Sequence, residues 1–123
     1  MDERLFRIAE ALLEKTRSGE IRWKATEDED TFETPFADYT VVIMRVPSLS
    51  QSQKYAYRFT LIDKEGRTLD SITLSFTGEI WESPEYNGRE FVETFRCLFE
   101  IARKTALNVD EAIGDLLKRL TGT

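Results

Sequence analysis

The stretch from Phe91 to Leu120 carries more apolar surface than two helices can leave in water, so the chain must supply something for it to cover. With successive residues about 100° apart around a helix, Phe91, Phe95, Leu98, Phe99 and Ala102 share one side, and Val92, Ile101 and Ala106 widen it. Arg89, Glu93, Arg96, Glu100 and Arg103 take the other side. Beyond Leu107, Asn108 is placed to cap a second helix, with Glu111 three residues on as its partner in an Asn form of the capping box. In that second helix Val109, Ile113, Leu116, Leu117 and Leu120 form a narrower stripe. Gly114 interrupts it at a helix-propensity cost of about 1 kcal/mol relative to Ala, and marks either a close backbone approach or an exposed position.

The rest of the chain predicts the layer beneath. Residues 3 to 17 read as a helix with Leu5, Ile8, Ala9, Leu12 and Leu13 inward, stopped at Gly19, where a left-handed cap is favoured. Ile21, Trp23 and Ala25 alternate with Arg22, Lys24 and Thr26 as a half-buried strand. The acidic segment from Glu27 to Asp30 then interrupts. Residues 39 to 46 are apolar on both faces, with Tyr39, Val41 and Ile43 on one and Val42, Met44 and Val46 on the other, up to Pro47. Residues 55 to 62 align Tyr55, Tyr57, Phe59 and Leu61. Asp63 to Gly66 have the chemistry of a hairpin turn with a bulge. The return strand, 68 to 77, places Ile72, Leu74 and Phe76 inward and a hydroxyl face of Ser71, Thr73, Ser75 and Thr77 outward, with Leu69 out of phase and a bulge expected between it and Ile72. Residues 78 to 88 read as a loop. The expected architecture is a single α+β domain over residues 1 to 123, a four-stranded antiparallel meander covered on one face by an N-terminal helix and two C-terminal helices.

Composition narrows the chemistry. At 123 residues and 41 % apolar, with eight Phe, the chain can bury a core, and its 33 % charged residues keep the remainder hydrated. There is no His and one Cys, which excludes imidazole-dependent triads and zinc sites of the Cys and His type. Cys97, beside Ile101 on the helix flank, reads as a packed thiol. No glycine-rich phosphate loop is present. Asp28, Asp30 and Glu33 offer oxygen ligands but lack the Gly and Glu of a calcium loop, so a solvated turn is expected and no metal or other cofactor is assigned. Carboxylate-only chemistry has a formal place, for instance with Glu79, Glu82 and Glu85 near Trp81 and Tyr86, and no catalytic residue is assigned. A net charge of −6 argues against a broad nucleic-acid-binding face. No apolar run reaches the roughly 18 residues of a membrane helix, and the start lacks signal-peptide features, so a cytoplasmic location is expected.

The sequences Leu12-Leu13-Glu14-Lys15-Thr16, Gly19-Glu20-Ile21 with Trp23, Leu98-Phe99-Glu100-Ile101-Ala102-Arg103, and Val109-Asp110-Glu111-Ala112 through Leu116-Leu117 resemble small uncharacterised bacterial α+β proteins. The resemblance implies a bacterial-type cytoplasmic domain and brings no activity and no site residue. The functional expectation is a non-catalytic protein-interaction or regulatory module, of which an immunity- or defence-type accessory protein is one version, working with a protein partner or as a homo-oligomer. Its expected interface is the outer face of the doubly apolar strand, Val42, Met44 and Val46, with Trp81. The alternative is a small-molecule binder or carboxylate-dependent enzyme with a pocket between helices and sheet.

Overall fold

The structure, a computed structural model, describes residues 3–47, 55–74 and 88–122. Along the chain these form α1 (Glu3–Arg17), β1 (Lys24–Ala25), β2 (Thr31–Phe36), β3 (Tyr39–Pro47), β4 (Tyr55–Ile62), β5 (Thr68–Leu74), α2 (Gly88–Ala106) and α3 (Val109–Thr121). The fold is α+β, with a sheet in the order β1-β2-β3-β4-β5 and every neighbouring pair antiparallel. The sheet therefore has five strands rather than the expected four. The additional strand is β2, which follows directly on the acidic turn. Its apolar signal is weak because Phe32 and Thr34 point inward while Pro35 and Phe36 are exposed. Pro35 is tolerated because it sits next to the hairpin end of the strand, opposite Thr40.

The helices do not share the covering role equally. α2 crosses β1 to β4 and buries Phe91, Val92, Phe95, Leu98, Phe99 and Ala102 of the predicted arc, while Ile101 and Ala106, expected to widen it, are half-buried. α1 packs along α2 through Leu5, Phe6, Ala9 and Leu12. Phe6 faces Phe91 with ring centroids 4.0 Å apart, whereas Ile8, expected inside, is exposed. α3 buries no residue at all, so the expected third cover is instead an outlying helix.

The core lies between α2 and the sheet. Phe59 and Phe95 stack at 5.5 Å, and Phe99 meets both Phe32 and Tyr57. Ile43, Phe59, Phe95 and Leu98 are wholly inaccessible to solvent. Burial pushes the Tyr57 phenol up from its ordinary value, opposed by the positive charge of Arg45. Arg45 closes one end of this layer, its guanidinium 4.3 Å from the Tyr55 ring centroid and 5.0 Å from that of Phe99, and paired with Asp30 at 3.0 Å.

Two turns show how the sequence sets the path. Gly19 and Gly66 both take φ +84°, as their positions at a helix end and a hairpin bulge require. In the second, the Asp63 carboxylate accepts from the backbone N–H groups of Glu65 and Arg67 and from Arg67 Nε at 2.7 Å. The bulge on β5 falls at Leu69 itself: Leu61 pairs with Asp70 and Ile62 with Thr68, leaving Leu69 unpaired and exposed.

Candidate interaction surfaces

Among the described residues, three surfaces stand out once the core is accounted for. The first is the sheet face turned away from the helices. Val42, Met44 and Val46 occupy it together, because alternate residues of β3 share a side and Val41 and Ile43 point into the core. Val42 is only 7 % exposed, while Met44 and Val46 are half-buried. Around them a shallow hollow of about 500 Å³ is lined by Glu33, Arg58, Thr60 and Ser71 as well as by Val42 and Met44. Its hydroxyls are mutually satisfied: Thr60 and Ser71 lie 3.0 Å apart, and Arg58 Nε donates to Thr73 Oγ1 at 2.9 Å. This face is therefore a mixed polar and apolar floor. Trp81, expected to complete it, lies outside the described residues, as do Ser75, Phe76, Thr77, Glu79, Glu82, Glu85 and Tyr86.

The second surface is an open groove of about 680 Å³ between the end of α1, the outer flank of α2 and the start of α3. Arg17, Ile21, Cys97, Ile101, Lys104 and Glu111 are among its walls. It is thus bounded by helices and by the segment after α1, and it is not the expected cavity between helices and sheet. That space is occupied by Trp23, Phe59, Phe95 and Phe99.

The third surface is α3. Asn108, between α2 and α3, stands at φ 52°, ψ 46° and makes no side-chain cap bond, so the predicted capping box does not form. Its Oδ1 instead accepts from Arg22 Nη2 at 2.7 Å, while its backbone carbonyl accepts the first helical bond from Ala112. An Asn side chain tolerates the left-handed conformation that this sharp redirection needs. The turn carries α3 off the body of the fold. Ile113, Leu116, Leu117 and Leu120 remain 60, 57, 59 and 76 % exposed, and Leu107 adds to them at the junction. Gly114 faces open space, so its position reflects exposure and not a close backbone approach. The chain matches no protein-family model, no curated protein and no solved structure.

Some acids near these surfaces are paired within the chain. Asp30 pairs with Arg45, and Arg96 on the outer side of α2 holds Glu93 at 2.7 Å and Glu100 at 2.9 Å. Those hydrogen bonds, Glu93 first, hold the Arg96 guanidinium still more firmly in its charged form. Among the described residues no group of three or more acidic or thiol side chains is arranged to hold a metal ion, and no helix is long and apolar enough to cross a membrane. The sequence anticipates the Val42, Met44 and Val46 face correctly as a shared side of one strand. It also displays the α3 stripe, whose exposure it does not reveal, since an amphipathic period has the same form whether the apolar side is covered by its own chain or by another.

Proposed function

We propose that this chain is a non-catalytic protein-interaction or regulatory module. The observation that carries the reading is the uncovered apolar side of α3: four large aliphatic residues in one helix, Ile113, Leu116, Leu117 and Leu120, each more than half exposed. A contiguous apolar surface of this kind is the usual mark of a partner site. The sheet face of Val42, Met44 and Val46, with Trp81, is a further docking surface on this reading, and its polar surround fits an interface rim.

The test uses the full chain as immobilised bait, comparing wild type with Leu116→Lys and with Met44→Lys. Retention of a defined protein, whether a second copy or another chain, that either substitution abolishes is the expected result. A strictly monomeric chain that retains nothing in any form defeats the reading. A second reading, small-molecule binding, is favoured by one feature, the groove flanked by Arg17, Lys104 and Glu111. Thermal stabilisation by a metabolite library, lost in Lys104→Glu, would support it instead.

A further inference from the structure

Asn108 interrupts a helical phase that runs on across it. Counted at about 100° per residue from Phe95, the buried side chains of α2 occupy an arc about 120° wide. Carried straight on through Leu107 and Asn108, the same count brings Val109, Ile113, Leu116, Leu117 and Leu120 into that arc, with Asp110 alone among the charged residues of α3 at its edge. A bend releases the second helix from the phase of the first. Two helices that meet only at an angle have no need of this agreement.

The break is the work of one residue. No Gly or Pro stands between Arg103 and Ile113. Asn108, at φ 52° and ψ 46°, gives α3 no side-chain cap, and the bend denies the N–H groups of Val109, Asp110 and Glu111 the Thr105, Ala106 and Leu107 carbonyls that a continuous helix offers. Arg22 holds the bend from outside both helices, its Nη2 donating to Asn108 Oδ1 at 2.7 Å. Asn enters the left-handed region more readily than most residues with a Cβ, and it is also tolerated in a helix interior. Both conformations are therefore open to it, and α3 buries no side chain that a change of direction would expose.

We propose that the α2–α3 junction is a two-position hinge, bent while Arg22 holds Asn108 and one continuous helix from Gly88 to Thr121 when Asn108 turns right-handed. The groove beside the junction is what the hinge acts on. In the bent form its walls include the bases Arg17, Arg22 and Lys104 and the acids Glu100, Asp110 and Glu111. Straightening carries Asp110 and Glu111 away on α3 and frees Arg22, leaving the bases against Glu100 alone. Opening the hinge thus turns a charge-balanced groove into a basic one.

The test places spin labels at Glu100→Cys and Lys118→Cys, both exposed positions, in a Cys97→Ser background of the full chain. These sites are about five turns apart, so a continuous helix sets their Cα atoms about 27 Å from one another. Pulsed electron paramagnetic resonance should resolve a major, bent distance and a minor one near that value. Arg22→Ala should raise the ratio of straight to bent about fivefold, the worth of one hydrogen bond. Asn108→Ala, which disfavours the left-handed turn, should make the straight distance the major one, and Asn108→Gly should remove it. Arg22 and Asn108 are both exposed, and cooperative thermal unfolding followed by circular dichroism checks that each variant keeps its core. A single bent distance that neither Arg22→Ala nor Asn108→Ala alters overturns the hinge. A wild-type distance near 27 Å alone, or one broad distribution common to all four proteins, overturns the two positions.

Discussion

The indole N–H of Trp23 donates to Thr16 Oγ1 at 2.9 Å, and that hydroxyl donates in turn to the Leu12 carbonyl at 2.6 Å. Both residues are buried, so this short chain of bonds fixes the segment leading into β1 against the last turn of α1. A second threonine completes the attachment: Thr105 Oγ1 accepts from the Trp23 backbone N–H and donates to the Ala102 carbonyl of α2.

Replacing Thr16 by Val keeps the shape of the side chain and removes the acceptor. The indole N–H is then left without a partner in the core, which costs about 1–3 kcal/mol. Urea denaturation should show the midpoint of Thr16→Val falling with an unchanged slope, and Thr16→Ser recovering most of the loss. Equal midpoints for wild type and Thr16→Val would mean that the bond contributes nothing net.

Such links explain which parts of the fold were legible beforehand. The arc of α2 is readable because apolar groups recur at the helical period, and Phe91, Val92, Phe95, Leu98, Phe99 and Ala102 are all buried. Strand β2 was hidden for the opposite reason. Its inward residues include Thr34, whose hydroxyl donates to the Arg22 carbonyl, and hydrogen bonding of this sort leaves no trace in a hydrophobic pattern. On α1 the sequence pattern turns Ile8 inward and leaves Phe6 out, whereas the inward side is set by what α2 offers, here the Phe91 ring. Asn108 has two local uses, as a cap and as a left-handed turn residue, and the choice depends on Arg22, 86 residues away in the chain. For the candidate surfaces, the residues sharing a side were predictable from periodicity, while their exposure depended on where the α2–α3 turn sends the chain.

The turn joining β2 to β3 holds Ala37 at φ 55°, between the paired residues Phe36 and Tyr39. A left-handed conformation costs an L-residue with a Cβ roughly 1–2 kcal/mol, and Gly at this place in a two-residue hairpin loop avoids that cost. Part of the gain is offset by the greater freedom of Gly in the unfolded chain. Ala37→Gly is therefore expected to stabilise the protein by about 0.5–1 kcal/mol. A lower thermal midpoint for the variant would contradict the assignment of strain to this turn.

Tyr57 gives the fold an alkaline limit. Its phenol is buried and its pKa lies above the ordinary value of 10.0, because burial disfavours the phenolate more than Arg45 favours it. On raising the pH, the unfolded chain loses this proton first. The contribution is thus fully present below pH 10 and declines as the pH climbs from there through the folded-state value. Removing the ionisable group in Tyr57→Phe should leave the neutral-pH stability difference intact and make that difference shrink or reverse above pH 10. A constant difference between the two proteins across the alkaline range would show that Tyr57 titrates normally.

Gly114 separates the stability of α3 from that of the rest of the molecule. A Cβ added there meets nothing within 4 Å, and its φ is not among the positive ones, so Ala is accommodated without steric cost. In a helix interior the exchange is worth about 1 kcal/mol. Because α3 buries no side chain against the fold, little of that gain is transmitted to α2 or the sheet. Native-state hydrogen exchange should therefore show slower exchange for the α3 amides of Gly114→Ala, about fivefold for each 1 kcal/mol, with the α2 and β3 amides unaltered. An equal rise in protection across α2 and β3 at high dilution would show instead that α3 unfolds together with the core.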